Sequence, residues 1–255
     1  MAAIETERRG RVGIIRINRP EARNAVNGEV ANGMEAALDD FEADANIQAV
    51  IVTGNGPTFS AGADLKLVAT GRAAEIATER GNFAGIVRRD YSKPLIAAVN
   101  GAALAGGFEI VLACDLVVAA DHAVFGVPEV KRGLFAAAGG LIRLPKRVPL
   151  ALATELAITG DPIDANRALQ LGLVNRVVPA EDVLDTALEL AGRIAENGPL
   201  AVKNTLQMVR EAGDLTEADA WRRNSELAME VFASKDSIEG PTAFAEKRPP
   251  QWTGS

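Results

Sequence analysis

Lys93-Pro-Leu-Ile-Ala-Ala-Val-Asn-Gly-Ala-Ala-Leu-Ala-Gly-Gly-Phe-Glu-Ile-Val-Leu-Ala-Cys-Asp115 is the stretch on which the reading of the fold turns. Its opening Leu95-Ile-Ala-Ala-Val99 is a short apolar run that Asn100-Gly101 terminates, the signature of a buried strand. Small residues then carry the chain to Gly106, where an apolar helix running to Ala113 is expected, and Leu116-Val-Val-Ala-Ala120 supplies the next strand. Strands separated by a helix-bearing crossover pair in parallel, and the absence of strict apolar–polar alternation fits strands covered on both faces.

Working outward, the same alternation recurs. Val12-Gly-Ile-Ile-Arg-Ile17 predicts a strand ended by Asn18-Arg19-Pro20, because proline lacks a ladder donor. From Asn27, Val30, Met34, Leu38 and Phe41 recur at helical spacing, and the apolar run 49–53 gives another strand closed by Gly54-Asn-Gly-Pro57. The chain is therefore predicted to be α/β with largely parallel pairing. Beyond about residue 180 the pattern turns helical: Val183, Leu184, Ala187, Leu188, Ala191 and Ile194 share one face, and the last strand signal is 174–178. These features divide the chain into a core, 1–194, and a helical region, 195–255. In that region Leu206, Met208, Val209, Leu227, Met229, Val231 and Phe232 exceed what a small appendage hides, so subunit contacts are expected there.

Composition narrows the function. Lys and Arg number 27 against 34 Asp and Glu, a net charge of −7, which offers nucleic acid no global field. The lone Cys114 excludes an internal disulfide and a cysteine zinc cluster, and with no cation nearby in sequence it reads as a buried thiol. The one histidine, His122, has no second histidine with which to hold a metal and reads as a loop residue. The first ten residues carry charge where a signal peptide would be apolar, and no run of about 18 apolar residues follows, so a cytoplasmic protein without membrane partners is expected. G-x-S-x-G, G-x-x-x-x-G-K and G-x-G-x-x-G are all absent, so serine hydrolase, NTPase and dinucleotide-binding readings lack their mechanical parts.

Three patches offer chemistry. Phe59-Ser-Ala-Gly-Ala-Asp-Leu-Lys66 follows a strand and turn with side chains small enough for a ligand to approach the main chain. A helix opening at Gly106 aims free N–H groups and a positive dipole end at whatever lies before it. Two such N–H groups facing one another would stabilise a thioester oxygen as it gains charge; tight turns and close-packed helix starts are the alternative. The third patch, Phe125-Gly-Val-Pro-Glu-Val-Lys-Arg-Gly133, places Glu129 after Glu109. Two carboxylates suit water addition to an activated alkene, one orienting and deprotonating the water and the other protonating the neighbouring carbon. Glu109 stands in an otherwise apolar helix, where an unpaired charge is costly, so it is either catalytic or part of a buried salt bridge. Glu129, after a proline in an expected loop, reads on its own as a surface carboxylate.

Together, Asn18-Arg-Pro20 with Asn24-Ala25, Phe59-Ser-Ala-Gly-Ala-Asp64, the stretch from Lys93 through Glu109, Cys114-Asp115, Phe125-Gly126, Pro128-Glu129 and Phe244-Ala-Glu-Lys-Arg248 resemble the enoyl-CoA hydratase/isomerase, or crotonase, superfamily in order and over almost the whole chain. The resemblance implies a spiral of ββα turns with a C-terminal helical region that mediates trimers, often stacked as hexamers. It also implies an oxyanion hole from the N–H groups of Ala63 and Gly106, with Glu109 and Glu129 as the catalytic pair. Ala22, Arg23, Ala25, Ala61, Asp64 and Leu65 would line the coenzyme A cleft, with Lys66, Phe244 and Lys247 from the same subunit or a neighbour. The lysines are phosphate partners on this reading and solvated surface groups on the other.

Two departures stand out. Ala105-Gly106-Gly107 has alanine where three glycines are common, which is tolerated if its φ stays negative. Gly133-Leu-Phe-Ala-Ala-Ala-Gly-Gly140 replaces a stretch with proline and extra glycine near the acyl pocket, so Phe135 is expected to affect substrate choice. The implied activity is 2-enoyl-CoA hydration in lipid and fatty acid metabolism, with no cofactor beyond the coenzyme A of the substrate. An enoyl-CoA isomerase would need one carboxylate, and a non-catalytic acyl-CoA scaffold neither.

Overall fold

The computed structural model describes residues 2–255. Strand β1 (Ile4–Arg9) turns at Gly10 and pairs antiparallel with β2 (Val12–Ile17). Helix α1 (Gly28–Ala43) starts where the Asn27 side chain accepts from the Val30 N–H, the capping bond its sequence favours.

A repeating plan follows. β3 (Ala49–Gly54) leads to β4 (Thr58–Ser60) and the short α2 (Leu65–Ala69). After the small hairpin β5 (Ala77–Thr78) and β6 (Asn82–Phe83), β7 (Leu95–Val99) leads to β8 (Ala102–Leu104) and α3 (Gly106–Ala113). β9 (Leu116–Ala120) then leads to β10 (Val124–Gly126), a 3-10 turn (Pro128–Arg132), α4 (Gly140–Arg147) and α5 (Leu150–Thr159). β11 (Ile163–Asp164), α6 (Ala165–Gln170), β12 (Arg176–Val178) and α7 (Val183–Ala195) complete the core. Helices α8 (Pro199–Glu211), α9 (Glu217–Phe232) and α10 (Asp236–Glu246) form the remainder.

The first strand of each turn joins a six-stranded sheet in the order β1-β2-β3-β7-β9-β12, and the second joins a four-stranded sheet, β4-β8-β10-β11. The chain thus passes between the two sheets at each turn, the spiral of ββα turns that the resemblance implies. From β2 onward the large sheet is parallel, with Ile14 beside Ile51 and Ile51 beside Ile96. Every residue of β3 and β7 is buried, as expected of strands covered on both faces. Val183, Ala187, Ala191 and Ala195 form the buried stripe of α7, whose closest neighbours include β3, β7 and β9.

Two expectations need correction. No strand is anticipated before Val12, yet β1 is one, with Glu7 paired to Arg16 and Arg8 to Asp40 and Asp44. The small sheet is implied by the ββα turns of the resemblance but not visible in the residue pattern, since its strands are only two or three residues long. Leu227, counted among the residues for subunit contacts, is instead buried within the chain, where its carbonyl accepts from Asn204 Nδ2. No helix among the described residues is long and apolar enough to cross a membrane.

Candidate active site

The switch from one sheet to the other brings two turns together. Ala63 forms an isolated parallel bridge with Val26, in which the Val26 N–H donates to Gly62 O at 2.8 Å and the Asp64 N–H to Val26 O at 2.9 Å. In a parallel bridge these bonds run through the residues flanking Ala63, so its own N–H faces the other way, into the cleft that it lines. Gly106 opens α3, where an N–H has no intrahelical acceptor. Neither N–H has a backbone acceptor among the described residues.

Close approach explains the glycines. A Cβ on Gly62, whose φ is +89°, would lie 2.8 Å from Gly106 N, and one on Gly107 would collide with the Ser60 carbonyl. Ala105 does not keep the negative φ expected of it: its angles are φ +52° and ψ −131°. The surrounding bonds hold it there, since its N–H donates to Gly126 O and its carbonyl accepts from the N–H groups of Phe108 and Glu109. Such a conformation costs an alanine about 1–3 kcal/mol and is typical of functional sites.

A buried polar hub secures the turn after β4. Asn24, in the left-handed region and fully buried, donates through Nδ2 to the carbonyls of Asn55 and Thr58 and accepts from the Arg19 N–H. Ser60 Oγ donates to Asn24 O and accepts from the Gly62 N–H. Asp64 is engaged in this framework: it caps α2 through the Lys66 N–H and pairs with Arg19 at 3.2 Å.

Glu109 is 3% exposed in a helix otherwise buried along its first two turns. No salt bridge accounts for it among the described residues. Instead Oε1 accepts from the Gly140 N–H at 2.8 Å. Burial pushes its carboxyl up to about 7, the Gly140 and Ala138 amides and Arg143 oppose the rise, and the charge of Glu129 adds to it. Glu129 lies in the 3-10 turn rather than in a surface loop. It is half-buried, its carboxyl is raised by burial against a small opposing contribution from its own N–H, and Oε2 is buried without a partner.

Both carboxylates border one cleft of ≈ 790 Å³, as do Ala63 and Gly106. Ala22, Arg23, Ala25, Ala61, Asp64, Leu65 and Lys66 line it as well, whereas Phe244 and Lys247 do not. Those two lie at the end of α10, with Phe244 87% exposed. Arg132, Leu134 and Ala138, from the stretches 125–133 and 133–140, also line the cleft, as do Val68, Ile76 and Phe83, which no sequence motif marks. Phe135, singled out as a departure, is at the cleft with 72% of its surface exposed. Elsewhere, Cys114 is fully buried with its thiol raised by that burial to about 12, and His122 is an exposed neighbour of Asp121.

The arrangement can hold a polarised carbonyl oxygen against two main-chain donors while two carboxyl groups handle protons beside it. Comparison with known proteins agrees. Residues 7–255 match the family model "Enoyl-CoA hydratase/isomerase". A carnitinyl-CoA dehydratase of Salmonella arizonae is 41% identical over 258 residues, covering 99% of this chain and 98% of the relative. Among solved structures, an enoyl-CoA hydratase from Mycobacterium tuberculosis H37Rv superposes with a TM-score of 0.96 at 47% identity, covering 100% of both chains. A carnitinyl-CoA hydratase from Mycobacterium avium gives a TM-score of 0.79 at 45% identity, also covering 100% of both.

Proposed function

Because the chain belongs to the enoyl-CoA hydratase/isomerase family and is a hydro-lyase of the crotonase type, we propose that it adds water across the double bond of a 2-enoyl-CoA to give a 3-hydroxyacyl-CoA. The observation that carries this reading is the presence of two carboxyl groups, Glu109 and Glu129, each raised by burial, on one cleft with two main-chain donors, Ala63 and Gly106, that have no backbone acceptor among the described residues. An isomerase needs only one of these acids and a scaffold needs neither.

The roles follow from what each carboxyl touches. The thioester oxygen sits between the Ala63 and Gly106 N–H groups, which draw electron density from C3 and stabilise the enolate that forms when water attacks it. Glu109, gripped by the Gly140 N–H, is oriented as an anion and takes a proton from the attacking water. Glu129, whose buried Oε2 has no donor to stabilise its charge, carries the proton that goes to C2. When Glu129 holds that proton, the part of the Glu109 rise due to its charge disappears, so the two assignments support each other.

Around the carboxyls the cleft offers Val68, Ile76, Phe83, Leu134, Phe135 and Ala138, which favours an uncharged hydrocarbon acyl group and a place in lipid metabolism. A second reading comes from the carnitinyl-CoA relatives, because the cleft is lined by two aromatic residues, Phe83 and Phe135, of the kind that attracts a quaternary ammonium. Purified protein should hydrate crotonyl-CoA and longer 2-enoyl-CoA thioesters near neutral pH, read as loss of the conjugated-thioester absorbance. Turnover confined to the trimethylammonium analogue of crotonyl-CoA would favour the second reading, and turnover of none of them would remove both.

A further inference from the structure

Arg143 lies on α4 behind the cleft, and the chemistry above makes no use of it. Its side chain is half-buried and enters no ion pair among the described residues; Nη2 donates to the Val87 carbonyl, and Nη1 occupies the space that a Cβ on Gly139 would fill. Gly139 takes φ +100° and leads into Gly140, the donor to Glu109 Oε1 at 2.8 Å. The Arg143 N–H also closes onto Gly139 O at 2.9 Å. One residue thereby ties the turn that grips Glu109 to residues 65–88, the segment that supplies Val68, Ile76 and Phe83 to the cleft.

Few charged groups face this arrangement. Burial and the charge of Arg147, one turn further along α4, depress the Arg143 guanidinium, while Glu109 on α3 and the Cys114 thiol oppose them. Glu109 meets Arg143 and, from the 3-10 turn, Glu129. A half-buried guanidinium is expensive unless it is hydrogen-bonded or balanced; here the Val87 carbonyl accepts from it and the Glu109 charge opposes the depression caused by burial and Arg147.

We propose that Arg143 is a positioning residue for Glu109: anchored on the Val87 carbonyl and packed under Gly139, it holds the Gly139–Gly140 turn, and with it the Gly140 N–H, against that carboxylate. The proposal rests on the reading of Glu109 as the water-activating group, but Glu109 itself can be observed without turnover.

The experiment follows the Glu109 carboxyl carbon by ¹³C NMR in the full-length protein, assigned by its disappearance in Glu109→Gln. In Arg143→Met the ionisation midpoint should move to higher pH, and in Arg143→Lys, which keeps the charge, it should return toward the parent value. Hydration of crotonyl-CoA by Arg143→Met should fall roughly three- to tenfold at pH 7 and recover as pH rises, since a unit of pH changes the ionised fraction up to about tenfold. An unchanged midpoint in folded Arg143→Met overturns the proposal, even if turnover drops evenly at all pH values, because that is how a purely structural residue behaves. A shifted midpoint in a protein whose parent hydrates nothing upholds the positioning role and removes the hydratase reading. Should Arg143→Met not fold, amide hydrogen exchange at Gly140 in Arg143→Gln decides: faster exchange than in the parent supports the proposal and parent-like exchange overturns it.

Discussion

Glu109 is where burial, hydrogen bonding and chemistry meet in a single side chain. With its carboxyl raised to about 7 in the fold against 4.5 for an unperturbed glutamate, the folded state binds more protons than the unfolded chain between those values, and stability falls as pH rises through that window. Glu109→Gln escapes this penalty. The variant should match the parent in thermal stability near pH 4 and exceed it by up to about 3 kcal/mol near pH 8. Its hydration rate should meanwhile drop by about 10²–10⁴, with a similar loss for Glu129→Gln and little further loss in the double variant, because residues acting as a unit are strongly non-additive. A single glutamine variant turning over a confirmed substrate at the parent rate would remove the two-carboxylate mechanism. Ala105 offers a converse test: glycine accepts φ +52° without strain, so Ala105→Gly should raise the melting temperature, corresponding to roughly 1 kcal/mol. Glu109 was legible because a charge inside Phe108-Glu-Ile-Val-Leu112 demands an explanation. The sign of the Ala105 φ was not, since it depends on bonds to Gly126, Phe108 and Glu109 that only the assembled turn provides.

At the level of elements, legibility followed length. The strands and helices of the large sheet were evident because each is a run of several apolar residues or a helical stripe, and Asn27 announced the start of α1. β4, β8 and β10 are three residues each, too short to show a period, and their pairing is set by the neighbouring sheet. β1 was hidden by its charges, which are its way of existing as an edge strand: Arg8 reaches across to α1, its guanidinium 4.9 Å from the Phe41 ring centre. The turn after β4 depends on Asn24, which serves two carbonyls and one N–H at once. Asn24→Ala should therefore destabilise the protein by about 2–4 kcal/mol, because buried carbonyls lose their donor, and denaturant unfolding would measure it. Ala63→Pro should be milder on stability than on activity. It deletes the N–H itself, and turnover should fall by about two orders of magnitude in protein that circular dichroism shows to be folded.

For the whole molecule, the C-terminal helices raise the question of what covers them. Trp221, Met229, Phe232, Ile238 and Phe244 are each 65% exposed or more, a density of bare apolar side chains that a lone subunit seldom carries. We propose that they meet other copies of the chain, as trimers or stacked trimers, and that Phe244 and Lys247 reach a neighbour's cleft from there. Light scattering at micromolar concentration should give a mass three or six times that of one chain, and a stable monomer would contradict this.

The strand order has a consequence for how the chain comes into being. In both sheets neighbours in space are neighbours in sequence order, β1-β2-β3-β7-β9-β12 and β4-β8-β10-β11, with no later strand inserted between two earlier ones. A nascent chain leaving the ribosome at about 5–20 residues per second can lay each strand against a completed edge, without reopening what has formed. In the large sheet the edge offered by β2, β3 and β7 in turn is parallel and apolar, and α7, which packs across β3, β7 and β9, arrives only after the last strand. Until then the large sheet has one bare face and one sticky rim, which makes the minute of synthesis, more than the finished protein, the period in which a chaperone has something to hold.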